Sequence, residues 1–191
     1  MDLAVFTPTV RELLTENRLP ELGPGGPNTA ARSALEALNV EGLFGSRKVV
    51  RPDLAQCCLA ALWLYHDYLD QSHAISRDIS ATEGSYWHGI MHRREPDYSN
   101  AAYWFRRVGN HPVFNPLCRE AAQLARGAGS PEGSGFLGRQ PAWDPFAFID
   151  LCEAVAGGRT QCEPLCRQVQ RAEWQLLFAY CYSHAVGGNT V

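Results

Sequence analysis

Long hydrophobic runs are missing from this 191-residue chain: nowhere do eighteen uninterrupted apolar residues occur, so no segment reads as a membrane-spanning helix. The opening MDLAVFTPTVRELL has neither a basic start nor a long apolar stretch, so no export signal is expected and a cytoplasmic location is. Alternating runs of β-branched residues are absent as well, and without them the pattern contains no strand signal. No Cys-x-x-Cys pair occurs among the seven cysteines, which removes a zinc ribbon or thioredoxin-type site. The thiols read instead as reduced core residues, Cys162 and Cys166 included, although their spacing of four is one a metal can use. A net charge of −3 gives no general reason to expect nucleic acid or an anionic membrane as partner. No internal repeat is found.

What recurs is the signature of helix starts. Thr7-Pro8, Asn28, Asp53, Ser99, Asn115-Pro116, Asp144-Pro145 and Glu163-Pro164 each precede or open an apolar-periodic segment. Gly127, Gly157-Gly158 and Gly187-Gly188 stand where helices would end. The expected fold class is all-α: one helical domain over residues 1–191, a bundle built round a continuous helix from Asp53 to about Ile79. Segments 20–28 and 126–143 read as loops from their Gly, Pro and Ser content. The second holds Gly133-Ser134-Gly135-Phe136-Leu137-Gly138, a formal G-x-G-x-x-G that follows a helix and not a strand, so it does not mark a dinucleotide site.

The chemistry concentrates in GSYWHGIMHRREPDYSNAAYWFRRVGNHP, residues 84–112, with three of the six histidines, two of the five tryptophans and two Arg-Arg pairs. On the helix before it, His66, Asp70 and His73 fall four and three apart and share one stripe, with Asp67 beside it. After a probable turn at SATEG, a short helix from Ser85 to Glu95 carries His88, His92 and Glu95 at the same spacings. Two helices joined by a short turn lie antiparallel, so the stripes are expected to face each other, His73 near His88 and Asp70 near His92. Each stripe spans about 10 Å, so only a subset of the six can hold one ion. Imidazole and carboxylate together suit zinc, iron or manganese. Metal-free acid–base chemistry, or an intramolecular network in which Asp67 or Asp70 pairs with Arg93 or Arg94, uses the same residues.

Arg93, Arg94, Arg106 and Arg107 outweigh Glu95 and Asp97 within 84–112, against the sign of the whole chain. Guanidinium forks of this kind suit a carboxylate or phosphate on a small acidic substrate. Trp87 and Trp104 are candidates to wall the pocket, while most of the other aromatics at helical spacing belong to the core. His111 falls on a turn, and His184 suits a helix C-terminus.

The run SYWHGIMHRREPDYSNAAYWFRRVGNHPVF, preceded by LAALWLYHDYLDQSH, resembles a family of uncharacterised proteins with the same tryptophan, histidine and double-arginine signature over about residues 50–116. That resemblance implies no activity. The segment is also similar, more loosely, to the DinB-like metal-binding bundles, which use one histidine on an early helix and a His-x-x-x-His pair on a later one. That likeness implies His66, His88 and His92 as ligands. The pair lies much farther along the chain in that family, so the similarity is one of chemistry. The function expected is a small-molecule enzyme with a divalent metal, a hydrolase before an oxygenase. A metal-free protein that binds an anionic ligand, or an interaction module knit by the same residues, is the alternative. Oligomeric state is not read from the sequence.

Overall fold

The protein is described by a computed structural model over residues 1–188. Among these residues there are ten α-helices, three short 3-10 turns and no strand, so the expected all-α class holds. The helices are α1 (Pro8–Leu14), α2 (Arg32–Ala37), α3 (Val40–Phe44), α4 (Pro52–Tyr65), α5 (Leu69–Ser76), α6 (Thr82–Arg94), α7 (Tyr98–Val108), α8 (Phe114–Gly127), α9 (Pro145–Ala156) and α10 (Glu163–Ala185). None is long and apolar enough to cross a membrane.

Local chemistry explains the starts. The Thr7 side chain accepts from the Val10 amide, Asp97 from Asn100, and Asp144 from both Phe146 and Ala147, each satisfying N–H groups that a helix leaves open at its first turn. Asn28 caps a 3-10 turn, Thr29–Ala31, that leads into α2. α7 starts at Tyr98, two residues before the Asn100 start implied by a Ser99 cap, because Asp97 takes the capping role.

One core runs through the bundle. α10 packs on α4, α8 and α9, while α6 packs on α4, α5 and α7. Trp174 of α10 donates its indole N–H to the Ala61 carbonyl of α4 at 2.9 Å, and its ring stacks on Phe178 at 4.8 Å. Apart from the half-buried Cys118, the cysteines are buried free thiols, with Cys162 Sγ and Cys166 Sγ in contact at 3.8 Å.

The helix expected from Asp53 to Ile79 is broken after Tyr65. Asp67 takes a left-handed backbone conformation at φ 63°, one that aspartate tolerates better than most residues. Its buried carboxylate accepts from Arg18 at 2.7 Å and from Arg94 at 2.5 Å, so the break is fixed by charge-assisted bonds. Arg94 also donates to the Leu64 carbonyl at the end of α4 and to the Gly23 and Pro24 carbonyls. Segment 20–28 is therefore a loop held in place. Arg167 donates to the Leu19 and Pro20 carbonyls and Gln170 to that of Glu21. Gly25 at φ 70° lies so close to Asp67 that a Cβ would stand 2.9 Å from its carboxyl carbon. Only glycine fits there.

Segment 126–143 is less open than its composition suggests. α8 runs to Gly127, and Gly135–Gly138 form a 3-10 turn that fully buries Leu137.

Candidate metal centre

Close approach of α7 to α6 builds the site. Gly89 faces Phe105, and a Cβ at residue 89 would come within 2.9 Å of two ring atoms of that buried phenylalanine. The missing side chain lets α7 lie close enough for Trp104 to stack on His88, with ring centroids 4.0 Å apart and planes at 28°. Helix propensity alone would have Gly89→Ala stabilise the protein by about 1 kcal/mol. Overpacking costs about 1–3 kcal/mol. The expected result is a net loss of up to about 2 kcal/mol in urea unfolding, and a stabilised variant would show that Phe105 yields freely.

His88 and His92 stand one turn apart on α6, and α5 brings His73 across to both. Ring centroids are 4.6 Å for His73–His88, 5.3 Å for His73–His92 and 4.7 Å for His88–His92. One nitrogen of each ring lies within 4.8 Å of the other two, and no other group of three or more His, Cys, Asp or Glu side chains among the described residues is so arranged. His88 and His92 are buried and His73 is half-buried, so the cluster meets solvent on the α5 side. These three histidines can hold a metal ion.

Their neighbours set the tautomers. Glu95 Oε2 lies 3.0 Å from His92 Nδ1, which places the N–H there and the lone pair on Nε2. The Asn100 amide donates to that Nε2 at 3.1 Å. Ser76 Oγ lies 3.4 Å from His88 Nδ1. Burial, followed by the nearby His92 and His73 and the charge of Arg77, pushes His88 down to about 3. Burial also lowers His92, against the raising influence of Glu95. Near neutral pH both rings are neutral, the form a metal needs, and a metal on His92 Nε2 displaces the Asn100 amide.

The other residues singled out in the sequence lie elsewhere or act differently. Because the chain turns at Asp67, His66 leaves the stripe: its Nε2 donates to the Leu13 carbonyl at 3.0 Å and its Nδ1 accepts from Asn28 at 3.1 Å. Burial keeps it neutral. Asp70 is exposed, and Glu95 touches the cluster through His92 instead of joining it as a third stripe member. Arg93 and Arg94 point into the protein, Arg93 paired with Glu173 and Arg94 with Asp67, and neither is open to a substrate. Arg106 and Arg107 are exposed, with the Arg107 guanidinium over the Trp104 ring at 5.3 Å. Trp87 is wholly buried and packs edge-on against Trp174.

His111 is also buried, its Nδ1 accepting from the Val113 amide and its Nε2 3.7 Å from Glu83. His184 sits in the last turn of α10 with Nδ1 2.9 Å from the Tyr180 carbonyl. Ser76 and Asn100 were not anticipated. Ser76 is three residues after His73, a spacing that places it on the same face, whereas nothing in the α7 sequence marks Asn100.

Beside the cluster lies an open groove of about 920 Å³ between the 24–29 loop, the start of α5 and the Glu95–Asp97 turn. Its charged lining is Asp67, Asp70, Glu95 and Asp97 against Arg32. Glu95 belongs to both the groove and the histidine cluster. Comparison with family models, with curated proteins and with solved structures gives no match for this chain.

Proposed function

We propose that His73, His88 and His92 hold a zinc ion and that the protein is a zinc-dependent hydrolase of small molecules. The approach of three imidazole nitrogens to within 4.8 Å carries this reading. Tetrahedral zinc with bonds of about 2.0–2.1 Å sets its ligand atoms about 3.3 Å apart, so the nitrogens need to close by at most about 1.5 Å. Three imidazoles with no carboxylate among them favour zinc over manganese, which prefers oxygen, and over the two-histidine, one-carboxylate pattern of non-haem iron. When bound, zinc supplies a Lewis acid with one position left for water or substrate.

The chain's own residues supply the rest. Glu95 fixes the His92 tautomer, as carboxylates commonly do for ligating histidines. Trp104 covers one face of His88. A substrate lying in the groove meets carboxylates, which suits a neutral or cationic molecule better than the acidic one suggested by the arginine count. The family signature over residues 50–116 contains all three histidines. In the DinB-like pattern His73, not His66, takes the early-helix place.

Elemental analysis of tag-free protein purified without chelator tests the reading. About one zinc per chain is expected, falling below about a tenth in His88→Ala and His92→Ala variants that keep their helical circular dichroism. Wild-type protein without zinc whose melting point added zinc does not move would sink it.

A second reading rests on Asn100, which with Glu95 occupies both nitrogens of His92. There the histidines are a metal-free network between α5, α6 and α7, and their substitution alters stability alone.

A further inference from the structure

Apart from the His73, His88 and His92 cluster, the N-terminal 3-10 turn Leu3–Val5, the start of α8 and the second half of α10 enclose a cavity of about 340 Å³. Val5, Phe6, Val113, Pro116, Leu176 and Ala179 give it apolar walls. Such a volume and lining are those of a small-ligand site. Val5 stays 56 % exposed at its edge, so apolar surface there remains uncovered by the chain.

Among the described residues Arg47 is the one charged member of the lining. It is exposed, yet it is pinned: Nε donates to the Phe44 carbonyl at 3.0 Å, one terminal nitrogen donates to the Tyr182 hydroxyl, and the guanidinium lies 4.8 Å over the Tyr182 ring. Tyr182 is in turn anchored through its hydroxyl to the Leu43 carbonyl at 2.7 Å. The other terminal nitrogen, Nη1, has no protein partner among the described residues. Among the described residues no carboxylate lines the cavity to neutralise this charge. An oriented guanidinium with donors to spare, at the margin of an apolar chamber, is complementary to a carboxylate that carries an aliphatic tail.

We propose that this cavity binds a medium-chain aliphatic carboxylate, its head on Arg47 and its tail between the N-terminal turn and α10. A methylene fills about the same volume as a water molecule, about 30 Å³, so about ten carbons fill the chamber. The site shares no residue with the histidine cluster, and its test is independent of metal content.

Isothermal titration calorimetry with decanoate, kept below its micelle-forming concentration, provides that test. A dissociation constant of about 0.1 mM is expected, from about 0.4–0.5 kcal/mol per heavy atom. Arg47→Gln weakens decanoate about tenfold. Decanol, which has the tail without the charge, binds the wild type about tenfold more weakly than decanoate and is indifferent to Arg47→Gln. Ala179→Trp, which fills the chamber, abolishes both. No heat with decanoate up to 1 mM, equal affinity for decanoate and decanol, or undiminished binding by folded Ala179→Trp would overturn the proposal. The decanoate and decanol comparison uses the unmodified protein, so it decides even where a variant fails to fold.

Discussion

Replacing Glu173 by alanine is expected to destabilise the protein by about 3–5 kcal/mol, a large part of the total stability of a domain this size. Glu173 is a fully buried carboxylate on α10. It accepts from Arg93 at 2.5 Å and from the Tyr86 hydroxyl at 3.1 Å, both on α6. Removing it leaves the Arg93 guanidinium uncompensated in a site with no access to water. Arg93 has little else to fall back on: Nε and Nη1 have no hydrogen-bond partner, and the guanidinium carbon lies 4.7 Å from the Phe148 ring. The paired double variant Arg93→Met, Glu173→Leu should recover most of the loss, since it removes both desolvation costs together and keeps the volume filled. Urea unfolding of the single and double variants checks this. A cost below about 1 kcal/mol for Glu173→Ala, or a double variant less stable than the single, would mean that the pair is not what ties α6 to α10.

That buried pair also shows where sequence reading stops. The His-x-x-x-His spacing on α6 was legible because it lies within one unbroken helix, where a spacing of four fixes a shared face. The capped starts of α1 and α9 were legible because capping chemistry is local. The continuity of the preceding helix was not, because Asp67 breaks it through bonds to Arg18 and Arg94, distant in sequence, and His66 is left bonded to the Leu13 carbonyl instead of sharing a stripe with His73. The four arginines illustrate a different limit. Twelve of the thirteen residues of α6 are buried, so no polar face marks which way its charges turn. A count of charge predicted a basic pocket, whereas Arg93 and Arg94 serve the interior and carboxylates line the groove. Gly89 gave no signal at all, since a glycine within a helix reads as a weakness until its opposite neighbour, Phe105, is known.

Metal-free protein should lose stability steadily as pH falls from about 6.5 towards 4.5, by about 2–3 kcal/mol from His88 alone. His88, 2 % exposed, is held down to about 3 by burial, by His92 and His73 and by Arg77, while in the unfolded chain it keeps the ordinary histidine value of 6.5. Between those values the unfolded state binds a proton that the folded state refuses. Stability is then full above 6.5 and falls by about 1.4 kcal/mol for each pH unit below it. His92 and His66, also lowered chiefly by burial, act in the same direction. Carboxylates do not confuse the window, because Glu83, Asp53 and Asp97 are lowered and their contributions are lost only as pH falls below the ordinary carboxylate range. Urea unfolding at pH 7, 6, 5 and 4.5 should show the slope, and His88→Gln should flatten it by about 1.4 kcal/mol per unit. A wild type that is flat over this range, or a variant with an unchanged slope, would contradict the burial that keeps the His88 ring neutral. Zinc, in the proposed function, competes with these same protons, so saturating zinc should raise stability most near pH 7 and least near 4.5. A zinc effect independent of pH would place the ion away from the three imidazoles.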